Sequence, residues 1–216
     1  MARRLVALSA LAALGYVVVG RPWQLTWGAT PTEVARAMPG DDLVPRPTFD
    51  ATRAITIAAP PAAVFPWLVQ VGVNRGGWYS YDLLDNLGRP SARTIVPELQ
   101  AIAPGDLLPM SPDGRHGITV HSLDAPRWMV WGTPGDTSWS WQLDDADDGA
   151  TRLVTRVRER QPRGDGVPRR RRDAAGHATR PRPADAGRGL GRLVGYLVTW
   201  KSAVMREPSA SVTPTV

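Results

Sequence analysis

Cysteine is absent from this chain of 216 residues. Disulfides, thiolate nucleophiles and cysteine-ligated metals are thereby excluded, while the compartment stays open, because a cysteine-free chain suits either side of a membrane. Lysine is nearly absent as well, occurring once at Lys201, so arginine carries the positive charge. No P-loop, dinucleotide fingerprint, nucleophile elbow or zinc motif occurs. Nothing in the sequence therefore calls for a metal or another cofactor.

What the chain does have is tryptophan, nine residues of it, in a composition that is 43% hydrophobic. That is enough to fill the core of one domain with appendages. Tryptophan suits places where a large apolar body must also offer one N–H. The net charge of +6 is local, because Glu159–Arg192 holds ten arginines against four acids and the remainder is balanced. Within it, Gln161–Gly189 has Val167 as its only aliphatic residue larger than alanine. A segment so poor in apolar surface cannot offset its ordering entropy and reads as disordered. Arg169–Arg172 would neutralise phosphate or meet anionic lipid. No aromatic interleaves that run and no recognition helix follows, so specific nucleic-acid binding is not expected.

At the N-terminus, Arg3-Arg4 precede a charge-free apolar run, Leu5–Val19, closed by Gly20-Arg21-Pro22. As a helix the run is somewhat short of a ~30 Å hydrocarbon core. Three readings compete. A signal peptide explains the basic start, but its A-x-A-like site, Ala10-Leu11-Ala12, comes too early and would leave Leu14–Val19 behind. A soluble core helix would need a polar face that the run lacks. A single N-terminal hydrophobic helix over residues 1–22, anchoring the protein to a membrane, accounts for more. Trp23 and Trp27 then lie where interfacial aromatics belong, and Arg4 and Arg21 can snorkel. The side of the membrane stays open, and cleavage would instead give a secreted protein.

Residues 23–160 carry the patterning of a folded domain. Gly28–Phe49 reads as an extended, proline-punctuated connection with a short helix at Thr32–Met38, N-capped at Thr30 with Pro31 behind it. Arg53–Ile57 alternates as a strand, with Ile55 and Ile57 on one face. Pro60-Pro61 ends it and starts a helix that places Val64, Trp67, Leu68 and Val71 on one side, distorted by Pro66. A second short helix is expected at Tyr81–Leu87, stopped by Gly88. Strands follow at Leu107–Met110, Ile118–Leu123, Trp128–Trp131, Thr137–Leu143 and Thr151–Arg158, with connections short enough for antiparallel neighbours. Thr137, Trp139, Trp141 and Leu143 share one face of their strand. At residues 190–207, Leu190, Leu193, Val194, Leu197, Val198, Val204 and Met205 form a helical stripe, and residues 208–216 read as a loose tail.

The candidate chemistry centres on Val64–Asn86. Here Trp67, Trp78, Tyr79 and Tyr81 surround an Arg75-Gly76-Gly77 loop and are followed by Asp82, Asp85 and Asn86. Large aromatics beside a few polar groups are the material of a small-molecule pocket; they are also the material of a plain core. Arg75, Trp78, Tyr79, Tyr81, Asp82, Trp139 and Trp141 are the expected ligand-binding residues. Asp82, Tyr81 and His121 are the candidates for acid–base chemistry, with Asp82 and Asp85 sharing a helix face. His116 and His121 would point to opposite faces of a strand, which argues against joint metal ligation. Arg156 and Arg158 lie opposite Leu153, Thr155 and Val157. They suit either a solvent-facing row or one arm reaching an anionic head group.

Five motifs carry a resemblance to a known family: Trp78–Asp82 (WYSYD), Trp27–Thr30 (WGAT), Pro39–Asp41 (PGD), Thr52–Pro60 (TRAITIAAP) and Pro104–Met110 (PGDLLPM). Over roughly Trp23–Arg158 the chain resembles the START-like, or SRPBCC, superfamily (polyketide cyclase/dehydrase-like), in a bacterial branch with the WYSYD motif. The resemblance implies an α+β helix-grip fold (START/Bet v 1-like), with an antiparallel sheet wrapped on a C-terminal helix and a cavity between them. The chain departs from that family at its C-terminus, where the Arg/Pro segment separates the last strand from the helical stripe, as an insertion or a shifted reading frame would.

The expectation is a membrane-tethered domain that binds or transfers an apolar or amphipathic small molecule, a hydrophobic metabolite or a lipid. The alternatives are a cyclase/dehydratase- or hydrolase-type enzyme using the same cavity, and a non-catalytic accessory domain. Oligomeric state is not legible.

Overall fold

The computed structural model describes residues 9, 11, 14–79, 82–86 and 88–160. Tyr81, most of Leu5–Leu14, the Arg/Pro segment and the 190–207 stripe lie outside the described residues, as do His177 and the tail.

Six strands build one antiparallel sheet: β1 (Phe49–Ile57), β2 (Leu107–Pro109), β3 (Gly117–Asp124), β4 (Trp128–Thr133), β5 (Thr137–Asp145) and β6 (Thr151–Glu159). Their order is β1-β6-β5-β4-β3-β2. The helices are short: α1 (Arg21–Leu25), α2 (Pro31–Ala35), α3 (Pro61–Val69) and α4 (Asp82–Asp85). Together they make an α+β architecture. The strands end where the turn residues predict. Gly135 and Asp136 turn β4 into β5, and the 3-10 turn Asp147–Gly149 carries β5 into β6.

Register assigns the two faces. Trp139 pairs with Trp131 and Val157, and Trp141 with Met129 and Thr155. Pairing of Ile55 with Leu153 extends the same inner face to the edge strand β1. α3 closes this face with Val64, Phe65, Leu68 and Val69, which join the strand residues, Val71, Val73, Trp78 and Tyr79 in one core. Trp67 is only partly buried and packs at the margin of that core.

The outer face is covered by the chain itself. Residues 28–48, expected as an extended connection, form a strap across it. Thr30 caps α2 with a full capping box, exchanging hydrogen bonds with Glu33. Met38 packs on Ala54 and Val154, and Leu43 and Val44 pack on Val130. Gly40 sits at φ +86°, and a Cβ there would stand 2.6 Å from Val130 Cγ1 and 2.8 Å from Ser138 Oγ. Only glycine allows that approach.

Arg156 holds the strap down. Its Nε donates to Thr52 Oγ1, its Nη1 to Arg36 O and Asp41 Oδ2, and its Nη2 to Glu33 O and Val34 O, all at 2.7–2.9 Å. These five bonds use all five guanidinium N–H donors. The carbonyls of Glu33, Val34 and Arg36 are those left unpaired at the end of α2, so the arginine is also that helix's C-terminal cap. Arg156 therefore faces neither solvent nor a cavity, contrary to both uses its strand position suggested. Arg158 stands beside it, 3.3 Å from Asp41 and 3.1 Å from Asp50. Arg152 pairs with Glu33 at 2.7 Å and holds its carboxyl down to about 2.

Candidate functional site

The aromatic residues singled out in the sequence meet on the inner face. Trp139 and Trp141 stack at 5.0 Å between centroids, and Trp78 lies parallel to Trp139 at 6.4 Å. Trp131 joins edge-on at 5.2 Å from Trp139. All four rings are buried. Period two on β4 and β5 puts three of them on one face. Trp78 arrives from the loop after α3.

That loop is fixed by hydrogen bonds. Gly72 and Gly77 bond each other in both directions at 3.1 Å. Arg75 turns back over the end of α3, donating from Nε to Val71 O (3.2 Å) and from Nη2 to Val69 O (3.0 Å) and Leu99 O (3.1 Å). Burial pushes its guanidinium pKa down, and Asp106 opposes the shift. Its place is a cap on helix carbonyls, not a free arm beside a hinge. Gly77, at φ +84°, has Ser91 Oγ 2.6 Å from where a Cβ would stand.

Tyr79 is buried with φ +53°. Its hydroxyl accepts from Gln70 Nε2, and its ring meets Trp67 edge-on at 5.6 Å. Burial raises its pKa, and the Gln70 bond works against the rise. Gln70 in turn accepts from Val96 N at 3.0 Å and Gln100 Nε2 at 3.2 Å. Asp82 sits in a second network. Its Oδ1 accepts from Asn86 Nδ2 (2.8 Å), Ser91 N (3.0 Å) and Ser91 Oγ (2.7 Å). Asn86 Oδ1 then accepts from Trp78 N, and Ser91 Oγ from Tyr79 N, both at 3.1 Å. Asp82 thus fixes the backbone that presents Trp78 and Tyr79. Among the described residues its partners are Asn86 and Ser91, and no bond joins it to Arg75.

His121 is exposed at an irregularity of β3, where the register shifts between Val120 and Ser122. His116 precedes the strand and is also exposed, 3.7 Å from Asp113. The structure does not bring Tyr79, Asp82 and His121 together. Among the described residues no group of three or more His, Asp or Glu side chains could hold a metal ion.

The sheet has a shallow recess at its β1 edge, lined by Trp27, Arg53, Ala54, Ile55, Leu153 and Thr155. None of these was singled out in the sequence as a ligand contact. A signal was nonetheless present, since Arg53 alternates in phase with Ile55 and Ile57 and so falls on the core face of its strand. Trp27 belongs to the segment that follows α1 and accepts a bond from Ala54 N along the sheet edge at 3.3 Å. Trp139 Nε1 donates to Thr155 Oγ1 at 2.9 Å, which joins the tryptophan cluster to the recess.

Searches with protein-family models and among curated proteins return no match for the chain. Among solved structures, the crystal structure of Ara h 8.0201 is similar at 15% sequence identity and a TM-score of 0.41, over 74% of this chain and 99% of that one. A likeness of shape that loose carries no ligand or activity across to this chain.

Proposed function

We propose that this protein binds an apolar or amphipathic small molecule against the inner face of its sheet and carries or sequesters it without bond chemistry. The carrying observation is the recess at the β1 edge. It is shallow and walled by the apolar groups of Trp27, Ile55 and Leu153 beside Arg53 and Thr155, the kind of apolar lining a small-molecule site uses. In this proposal the stacked Trp78, Trp139 and Trp141 back the site, and Arg75, Tyr79 and Asp82 keep that wall in place. Tyr81, outside the described residues, is assigned to the same wall by its neighbours in the chain. The 190–207 stripe would complete a helix-grip fold over the sheet, as the START-like motifs imply.

The enzymatic alternative needs two titratable groups within hydrogen-bond reach in the site. Arg53 is the one titratable side chain among the described residues that line the recess, which favours binding. A membrane tether is part of the same proposal. It is supported by exposed Leu14, Val17, Val18, Val19 and Trp23 at the start of the described chain. Among the described residues no helix is long and apolar enough to cross a membrane by itself. Native mass spectrometry of the purified full chain tests the binding reading. A co-purifying small molecule, released on denaturation, is the expected result; a bare mass from several preparations would remove it.

A further inference from the structure

Between α4 and β2, residues 88–106 hold one 3-10 turn, Pro97–Leu99, and no strand or α-helix. Each of them is half-buried or exposed. A connection of that length without regular structure is uncommon in a compact domain and is characteristic of lids and binding loops. Its two ends are pinned. Ser91 donates to Asp82 from both its N–H and its hydroxyl and accepts from Tyr79 N. At the far end Gly105 N donates to Val120 O at 2.8 Å, and Val120 N donates to Asp106 O at 2.9 Å.

The middle of the segment hangs mainly on one side chain. Gln70, just after α3, is 0% exposed. Its Nε2 donates to Thr94 O at 3.2 Å and to the Tyr79 hydroxyl, and its Oε1 accepts from Val96 N at 3.0 Å and Gln100 Nε2 at 3.2 Å. An amide side chain has two protons and two lone pairs, so Gln70 is saturated. The other fastenings are Ala92 N to Gly76 O (2.8 Å), Arg75 Nη2 to Leu99 O (3.1 Å) and Gln100 Nε2 to Pro66 O (3.4 Å). Among the described residues, every hydrogen bond that leaves residues 92–102 ends on residues 66–76, and none reaches the sheet. A segment held by a few polar bonds and little buried apolar surface opens at lower free energy than the whole domain. On the other side of Gln70, Tyr79 stands at φ +53°, a region that bulky residues rarely occupy, so its position needs outside support.

The recess at the β1 edge is shallow, so the depth of the inner face is reached only by moving part of its cover. Resting on the small-molecule reading above, we infer that residues 92–102 are a lid at the Trp67–Tyr79 side of the aromatic core, and that Gln70 is the positioning residue that fastens it and sets how often it opens to admit an apolar small molecule. Closed, Gln70 ties the lid to Tyr79, whose ring meets Trp67 edge-on. Opening breaks the bonds from Gln70 to Thr94, Val96 and Gln100, with the pinned ends at Ser91 and Gly105 as hinges. Polar fastening fits this role. The net worth of each hydrogen bond is small because water replaces it, so the open lid costs little once its groups are hydrated.

Amide hydrogen exchange of the full-length chain tests the lid without any ligand. In the wild type the amides of Ala92 and Leu99 should exchange together, well ahead of those of β5 and β6. Gln70→Met, of similar volume and without the amide group, should speed that pair by roughly tenfold or more, the loss of two or more net hydrogen bonds. The β5 and β6 amides should not change. Gln100→Ala, which removes one donor to Gln70, should speed the pair by less. Stopped-flow mixing with the apolar dye 1-anilinonaphthalene-8-sulfonate reads access. The wild-type association rate should level off with dye concentration at the opening rate, and Gln70→Met should raise that plateau. Exchange that rises equally in the lid and the sheet would make Gln70 a plain core residue and overturn the lid, even where dye binds. A dye rate unchanged by Gln70→Met would overturn the access role. Dye bound by neither protein, with exchange still local, would strike the small-molecule reading itself and with it anything for the lid to admit. If Gln70→Met does not fold, wild-type exchange, the wild-type dye plateau and Gln100→Ala still decide.

Discussion

Arg156 on β6 and Asp41 on the strap lie 2.7 Å apart beneath the covered outer face of the sheet. The pair is the charged part of a five-bond clasp, and removing the arginine leaves the carbonyls of Glu33, Val34 and Arg36 without that donor and Asp41 with only Arg158 and the Met38 N–H. Arg156→Met should therefore destabilise the protein by about 3–5 kcal/mol, the penalty for breaking a buried pair on one side. Arg156→Lys should recover little of it, since an ammonium has three donors on one point and cannot span the same acceptors. Urea unfolding of the three proteins measures both effects. A loss under about 1 kcal/mol would mean that the apolar contacts of Met38, Leu43 and Val44 hold the strap unaided.

Acid should release the strap from its other end. Glu33 is held down to about 2, from an ordinary 4.5, first by its hydrogen bond to Arg152. A carboxyl with a depressed folded pKa binds its proton earlier in the unfolded chain. Its contribution is therefore complete above about 4.5 and is lost as pH falls toward about 2. Glu33→Gln should lower stability at neutral pH and flatten the acid limb over that window. Thermal melts across the window, wild type against variant, check the sign.

Glu159 predicts the opposite slope. Burial raises its pKa, with Asp136 adding repulsion, and its buried Oε1 has no hydrogen-bond partner among the described residues. A raised folded pKa makes the protonated form the stable one, so stability is lost as pH rises through that value. Glu159→Gln, which keeps the shape and removes the charge, should raise the melting temperature at neutral pH and leave it unchanged well below 4.5, the ordinary value. A drop at neutral pH would show that the ionised carboxylate has a partner of its own.

Trp78 separates core from binding wall. Its ring lies parallel to Trp139 and is 7% exposed. Trp78→Ala should cost about 3–5 kcal/mol, as truncation of a buried aromatic does, and Trp78→Phe distinctly less. Comparing, by native mass spectrometry, the small molecule retained by the folded Phe variant and by wild type shows whether the ring also shapes the site. Unchanged retention would confine Trp78 to packing.

The strands were legible in the sequence because they write themselves locally. Thr137–Leu143 alternates within its own length, and β5 runs Thr137–Asp145. What escaped the reading is long-range. The strap looks like a linker because its contacts are backbone carbonyls of Glu33, Val34 and Arg36 meeting one side chain far along the chain. Asp82 invites a catalytic role until Ser91 and Asn86 are seen to share its Oδ1. His121 lies on β3 as expected, but next to inward-facing Val120 it falls on the other side of the strand and is exposed. Arg53 was readable in principle, as a charge in phase with Ile55. That no acid among the described residues pairs with it becomes visible only when the neighbouring strands are in place.

The N-terminus offers the last prediction. Leu14 is 59%, Val17 59%, Val18 61%, Val19 68% and Trp23 64% exposed, which is a poor arrangement in water for residues of this kind. The first four end the Leu5–Val19 run, and a bilayer would take them up with Trp23 at its interface. Deleting residues 1–19 leaves α1 intact, and with it the Gln24 carbonyl that satisfies one edge of Arg53. The shortened protein should therefore keep its fold and its ligand affinity while moving from the membrane fraction to the soluble one. The full chain should stay in the pellet after a carbonate wash. Recovery of the full, uncleaved chain in the soluble fraction would refute the tether. Loss of binding on deletion, with the fold intact, would instead place the apolar segment over the recess as part of the site.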